Sequence, residues 1–210
     1  MSDGDFISNV VGTGFFIAPQ FVLTAAHCVF DDRRLGGKAQ RVKIEAPTVE
    51  SDSANIVISS NELIHTPFLW NGANNEVQHD YAIIDLRGTR FFAKTFFVLA
   101  PTGNFSGHFA NIAGYPADRD HSQFMYHDAG IISDTFMGTL RYKTDTGAGQ
   151  SGGPVWCYDH AQDKIGKIVG IHIQKGDHFE KSGEGHIFID NIGVAISQEL
   201  RDFIAQVGQT

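Results

Sequence analysis

Cysteine is nearly absent from this chain: Cys28 and Cys157 are the only two among 210 residues. Two thiols make at most one bridge, so a disulfide framework is excluded. Charge is also sparse at 19% of residues, while 42% are hydrophobic, a balance that argues for a folded core and against disorder. The net charge is −8 with no lysine/arginine block, so nucleic acid and anionic membranes are poor partners on electrostatic grounds. No apolar run approaches the ~20 residues a membrane helix needs. There is no HExxH, and the histidines and cysteines lack zinc-ligand spacing, so neither metal nor other cofactor is expected. The opening residues, "MSDGDFISNVVG", lack the basic start and apolar core of a signal peptide. The expectation is a cytoplasmic protein if Met1 is the native start, and a secreted one if the chain is a processed form.

What the chain has is glycine, 23 residues of it, and many short apolar runs broken by turns. "GTGFFIA" and "FVLTAAH" flank Pro19-Gln20 as a hairpin would, and "RVKIEA" alternates with the period of a half-buried strand. "NIVISSNELIH", "DYAIIDL" and "FFVL" follow. After the breaker-rich "APTGNFSG" the pattern resumes with "FANIAGY", "FMYHDAGII", "TLRYKT", "GPVWC", "KIVGIHI" and "HIFI". One helix closes the chain: Ser197 is a natural N-cap, and Leu200, Phe203, Ile204 and Val207 recur on one helical face. Regularly spaced short strands argue for barrels or sandwiches, not βαβ units. The predicted fold is all-β: two six-stranded antiparallel barrels with the active site between them, plus the helix. Residues 1–99 form the first barrel, 100–107 the linker, 108–196 the second barrel and 197–210 the helix, together one monomeric domain.

The stretch "TDTGAGQSGGPVW" sets Ser151 among four glycines and a proline. Glycine permits positive φ and close backbone approach, so the run suits a serine at the tip of a tight loop whose N–H groups converge. That is the geometry of an acyl-transfer nucleophile with its oxyanion hole, although a lone glycine-rich turn is common. A serine nucleophile needs a base, and the base needs an acceptor on its other ring nitrogen. "TAAHC" places His27 where a strand gives way to a small-residue turn, and "HDYAIIDL" places Asp80 just before an apolar strand. The nine other histidines read as surface or structural groups. His79 points away from its neighbour along a strand, and Asp85 is a further acid on that strand.

"TAAHC", "DYAIIDL" and "GQSGGPV", in that order, resemble the trypsin/chymotrypsin superfamily of serine proteases, and "AGYP" at 113–116 fits the start of its second barrel. The resemblance implies His27 as general base, Asp80 as its orienting acid and Ser151 as nucleophile. It implies an oxyanion hole from the N–H groups of Gly149 and Ser151, and a protein or peptide substrate. Gln150 stands where digestive proteases carry an aspartate, so their amine-triggered activation is not expected. The family's half-cystine partners are replaced by Gly12 and, approximately, Asn111, which leaves two free thiols.

"DTGAGQSGGPV" and "GIHIQKG" look like the bacterial glutamyl endopeptidases, and the spacing is also similar to viral chymotrypsin-like main proteases. The closing helix better fits the bacterial group. In both groups the residues matching His172 and Thr146 read the side chain before the scissile bond. Both can donate to a carboxylate or an amide oxygen, which implies Glu or Gln, and nearby Lys175 favours the acid. Asp145 stands where trypsin-like enzymes bind Arg or Lys, the alternative specificity. The substrate backbone is expected to add as a strand beside Ile173 and Gln174. Two rival functions remain: a catalytically silent binding module and an esterase using the same serine.

Overall fold

The computed structural model describes residues 11–46, 54–71, 76–158, 166–176, 179–182, 185–188 and 190–209. The Pro19-Gln20 turn joins β1 (Gly14–Ala18) to β2 (Phe21–Thr24) as an antiparallel hairpin. After β3 (Phe30–Asp31), β4 (Gly37–Lys38), β5 (Val42–Ala46) and β6 (Ala54–Ile58) come β7 (Ile64–His65) and β8 (Ala82–Asp85). The first lobe is a four-stranded sheet, β1-β2-β8-β7, accompanied by the β3–β4 and β5–β6 hairpins. Among the described residues these pairings do not close into a ring.

Closure is seen in the second lobe. It contains β9 (Val98–Leu99), β10 (Phe109–Gly114), β11 (Tyr126–Phe136), β12 (Thr139–Tyr142), β13 (Pro154–Cys157) and β14 (Lys167–Lys175). A hairpin of β15 (Phe179–Ser182) and β16 (Gly185–Phe188) leads to β17 (Asn191–Ala195). The order β13-β10-β11-β12-β17-β14 returns to β13 through a β13–β14 pairing, giving a closed six-stranded barrel. Closure satisfies both edges of every strand. Ile112, Ile132, Leu140, Tyr142, Val155 and Val169 fill its interior.

One run behaves differently from its expected place. Of "FFVL" only Val98–Leu99 is extended, and it pairs in parallel with β14, so the segment before residues 100–107 already lies against the second lobe. Phe97 packs on Phe15 of the first lobe and Trp156 of the second.

The pleat explains how the lobes share a core. Neighbours on a strand face opposite ways, so Ala82 and Ile84 join Val22, Ile58 and Ile64 inside the first lobe. Tyr81 and Ile83 face out, meeting Ile168, Ile171, Ile173 and Val194 of the second lobe. Over this shared cluster lies α1 (Gln198–Gln209), with Ser197 Oγ accepting the Leu200 N–H at 3.2 Å. Leu200 and Val207 are buried there, with Phe203 and Ile204 packed beside them. Truncating a core leucine such as Leu200 to alanine costs about 2–5 kcal/mol. No helix among the described residues is long and apolar enough to cross a membrane.

Both cysteines are free thiols. Gly12 does face Cys28: a Cβ there would lie 2.5 Å from the Cys28 sulfur. Cys157 sits across from Ala110, not Asn111, which pairs with Trp156. The approximate sequence position was one residue off, and a one-residue slip reverses the face of a strand.

Candidate active site

β2 ends at Thr24, and the chain turns through a single 3-10 turn, Ala26–Cys28. Ala25 and Ala26 are fully buried; only small side chains let this turn press onto the core and leave His27 at its rim. Asp80 is set the same way, following the 3-10 turn Val77–His79 at the mouth of β8. Asp80 is 3% exposed. The two residues meet twice: His27 Nδ1 lies 2.7 Å from Asp80 Oδ2, and the His27 backbone N–H donates to Oδ1 at 2.9 Å. A proton on Nδ1 satisfies the carboxylate and leaves Nε2 as the basic atom. Burial opposes charge on His27, but the hydrogen bond and charge of Asp80, with a contribution from Cys28, outweigh it and raise the imidazole's pKa.

The serine loop is held by backbone bonds and two left-handed glycines. Thr13 N–H donates to Ser151 O at 2.7 Å, Thr13 Oγ1 to Gly149 O at 2.9 Å, and Gly152 N–H to His172 O at 2.7 Å. Gly149 has φ +97° and Gly152 φ +87°. A Cβ on Gly152 would come within 2.1 Å of Thr13 O, and one on Gly149 within 2.6 Å of Tyr115 O. No larger residue fits either position. Gln150 is folded back, its N–H donating to Gly147 O at 3.2 Å and its Oε1 accepting the Gly147 N–H at 2.7 Å. The N–H groups of Gly149 and Ser151 on either side of it have no backbone acceptor among the described residues. Such a pair of donors suits an oxyanion.

Ser151 Oγ donates to the carbonyl of Ile173 at 2.8 Å. That carbonyl is accessible because Ile173 is skipped in the β14–β17 register, between His172 and Gln174; β-bulges commonly re-aim backbone groups at functional sites. The Cys28 thiol, next to His27, donates to Ser151 O at 3.6 Å. The histidine turn, the carboxylate and the serine loop are thereby one assembly, built from residues 123 positions apart.

The expected specificity residues fall in different settings. His172 is 2% exposed and does not line the open cavity bordered by Thr146 and Asp145; its Nδ1 is 2.7 Å from Tyr142 Oη. Burial, and then the charge of His27, lower its pKa to about 3, so the ring is neutral. Thr146 is buried and its hydroxyl donates to Asn191 Oδ1 at 2.6 Å, so its proton is committed inside the protein. Asn191 in turn donates to Thr144 O at 2.6 Å. Asp145 points outward, its side chain 75% exposed and paired with Arg119 at 3.1 Å. Thr146, Asp145, Lys143, Lys175 and Asn191 help line an open cavity of about 390 Å³. Gln174 is exposed at the end of β14.

Sequence reasoning missed Tyr142, Asn191, Arg119 and Lys143. Tyr142, Asn191 and Arg119 each touch a site residue from a distant strand or loop, whereas Lys143 lies beside the "TDT" run and lines the same cavity.

The trypsin-like peptidase domain family model matches residues 12–171. A glutamyl endopeptidase of Bacillus licheniformis is 30% identical over 158 residues, 71% of this chain and 47% of the relative. A Bacillus subtilis protein named extracellular metalloprotease is 27% identical over 169 residues, 80% of this chain and 52% of its own. The chain thus spans about half the length of these curated relatives. A solved Glu endopeptidase in complex with MPD superposes with a TM-score of 0.71 at 21% identity, covering 97% of this chain and 87% of that one. Three segments in family order, a closed barrel beside a second β-lobe and a family match over most of the chain agree: this protein belongs to the trypsin-like peptidase domain family of serine-type hydrolases.

Proposed function

We propose that this chain is a serine endopeptidase cleaving after glutamate, with Ser151 as nucleophile, His27 as general base and Asp80 as the acid that orients it. The observation that carries this reading is the double grip of Asp80 on His27, at Nδ1 and at the backbone N–H. It leaves Nε2 basic in the assembly that holds the serine loop, as a weak hydroxyl nucleophile requires.

The substrate pairs as an extended strand along Ile173 and Gln174, and its N–H takes the Ile173 carbonyl on which Ser151 Oγ rests. The freed hydroxyl attacks the scissile carbonyl carbon while its proton passes to His27 Nε2. Negative charge on the substrate oxygen is met by the N–H groups of Gly149 and Ser151. His27 then gives the proton to the departing amine, leaving an acyl-enzyme. Water, activated by the same imidazole, attacks the ester and regenerates Ser151.

Charge around the 390 Å³ cavity supports an acidic side chain before the cut. Of the three lining carboxylates, Asp145 is paired with Arg119 and Asp190 with Arg141 at 2.8 Å, while Asp128 accepts the Asp145 N–H. Lys143 and Lys175 line the same cavity and make no ion pair among the described residues. His172 is buried, neutral and outside the lining of this cavity, so the lysines supply the preference for charge.

A panel of peptides differing only before the scissile bond (Glu, Gln, Asp, Arg, Lys, Phe), run with a Ser151→Ala control, tests the proposal. Fastest Ser151-dependent cleavage after Glu supports it. Preference for Arg or Lys puts Asp145 in the pocket and overturns the specificity. Ester turnover without peptide cleavage points to an esterase, and no turnover to a silent binding module.

A further inference from the structure

The residues on both sides of Asp80 are gripped by the C-terminal helix. His79 is buried, with Nδ1 3.3 Å from Glu199 Oε1 and Nε2 3.9 Å from Glu76 Oε2. Tyr81 is 1% exposed, and its ring meets that of Phe203 edge-on at 5.3 Å. Beyond β8, Arg87 forks onto Asp85 and donates to Val207 O at 3.2 Å. Glu199, Phe203 and Val207 are spaced four apart, which stacks them along one helix face. That face therefore runs along the segment from His79 through Asp80 to Arg87. Arg201 also bonds the carbonyls of Leu99 and Ala100, tying the helix to the strand that joins the lobes.

We propose that Glu199 and Phe203 are positioning residues: the helix clasps the Asp80 segment through His79 and Tyr81 and so sets the Asp80 carboxylate against His27. This rests on Asp80 and His27 acting as proposed above. The physical need is plain. Asp80 sits at the end of a three-residue 3-10 turn, a short element with poor hydrogen-bond geometry of its own. A carboxylate held at 2.7 Å from an imidazole loses its orienting power with a displacement of about 1 Å. Anchoring the flanking side chains fixes the backbone between them. Phe203 sets its ring edge-on against Tyr81, a geometry aromatic pairs favour, and the Glu199 carboxylate lies 3.3 Å from His79 Nδ1, a charge contact without hydrogen-bond geometry.

The groups facing the His27 imidazole are Asp80, Cys28 and, more distantly, His172, and those facing His79 are Glu76 and Glu199. Two variants of the full chain separate geometry from charge: Glu199→Gln removes the carboxylate's charge, and Phe203→Leu removes the ring with no change in charge. The first readout is the titration of the His27 imidazole by NMR, which needs no turnover. Both variants are expected to move its midpoint down by about half a pH unit or more. The second readout is kinetic, with kcat expected to fall about five- to thirtyfold and KM to change less than twofold. Phe203→Leu leaving the His27 midpoint and kcat unchanged in folded protein overturns the clasp. So does a kcat loss matched by an equal loss of titratable serine, which reports unfolding only. Ser151→Ala and Asp80→Asn run alongside: if they retain activity, it is the catalytic reading that fails.

Discussion

Asp80 holds His27 by two atoms at once, Oδ2 against Nδ1 at 2.7 Å and Oδ1 under the backbone N–H at 2.9 Å. The carboxylate therefore fixes the tautomer, the ring plane and the turn that carries the ring. Its charge and hydrogen bond also keep the imidazole protonated to higher pH than a free histidine.

That relation has a pH consequence. In the proposed mechanism His27 must be neutral to accept the serine proton, and its pKa is raised, so kcat/KM is expected to climb with pH along a limb whose midpoint lies above 6.5. Asp80→Asn removes the cause of the shift. Steady-state kinetics on that variant should show the midpoint moving down and kcat falling about 10⁴-fold, the loss seen when a triad loses its orienting acid.

Gly12 and Cys28 form a coupled pair. The missing Cβ of Gly12 makes room for a sulfur that would otherwise lie 2.5 Å away. Gly12→Ala should destabilise by about 1–3 kcal/mol through overpacking, while Gly12→Ala with Cys28→Ala should regain most of the loss. Urea denaturation of the four proteins of the double-mutant cycle measures the coupling.

His172 is expected to make the fold acid-labile. Burial keeps its proton off down to about pH 3, whereas the unfolded chain takes one up near 6.5. Its contribution is complete above pH 6.5 and is lost progressively as pH falls from 6.5 towards 3. Thermal unfolding across that window should show Tm falling less steeply in His172→Gln than in the parent.

Lys175 is expected to separate Glu from Gln. An exposed pairing is worth up to about 1 kcal/mol, so Lys175→Met should lower the Glu-over-Gln ratio in kcat/KM about two- to fivefold while leaving Gln cleavage unchanged. A ratio that does not move assigns the charge preference elsewhere in the cavity.

Local pattern carried much of this architecture. The β1–β2 hairpin is readable from two apolar runs around Pro19-Gln20. The helix is readable from Leu200, Phe203, Ile204 and Val207 after Ser197. The three motif segments gave the candidate site because each is short and chemically distinctive. What escaped is non-local. The parallel pairing of Val98–Leu99 with β14, the Tyr142 contact to His172 and the Arg119–Asp145 ion pair join residues far apart in sequence. Periodicity reports which face a residue takes, not which partner it finds there. The commitment of the Thr146 hydroxyl to Asn191 is of this kind, since a threonine in a motif reads equally as a donor to substrate or to a neighbouring strand.

The most direct measurement is intact-mass analysis after treatment with a fluorophosphonate, which phosphonylates a serine activated as a nucleophile, with fluoride as the leaving group. The account predicts one adduct, mapped to Ser151, forming at least 100-fold more slowly in His27→Ala, the general-base contribution of about 10²–10⁴. No adduct, or an adduct whose rate is indifferent to His27, contradicts it.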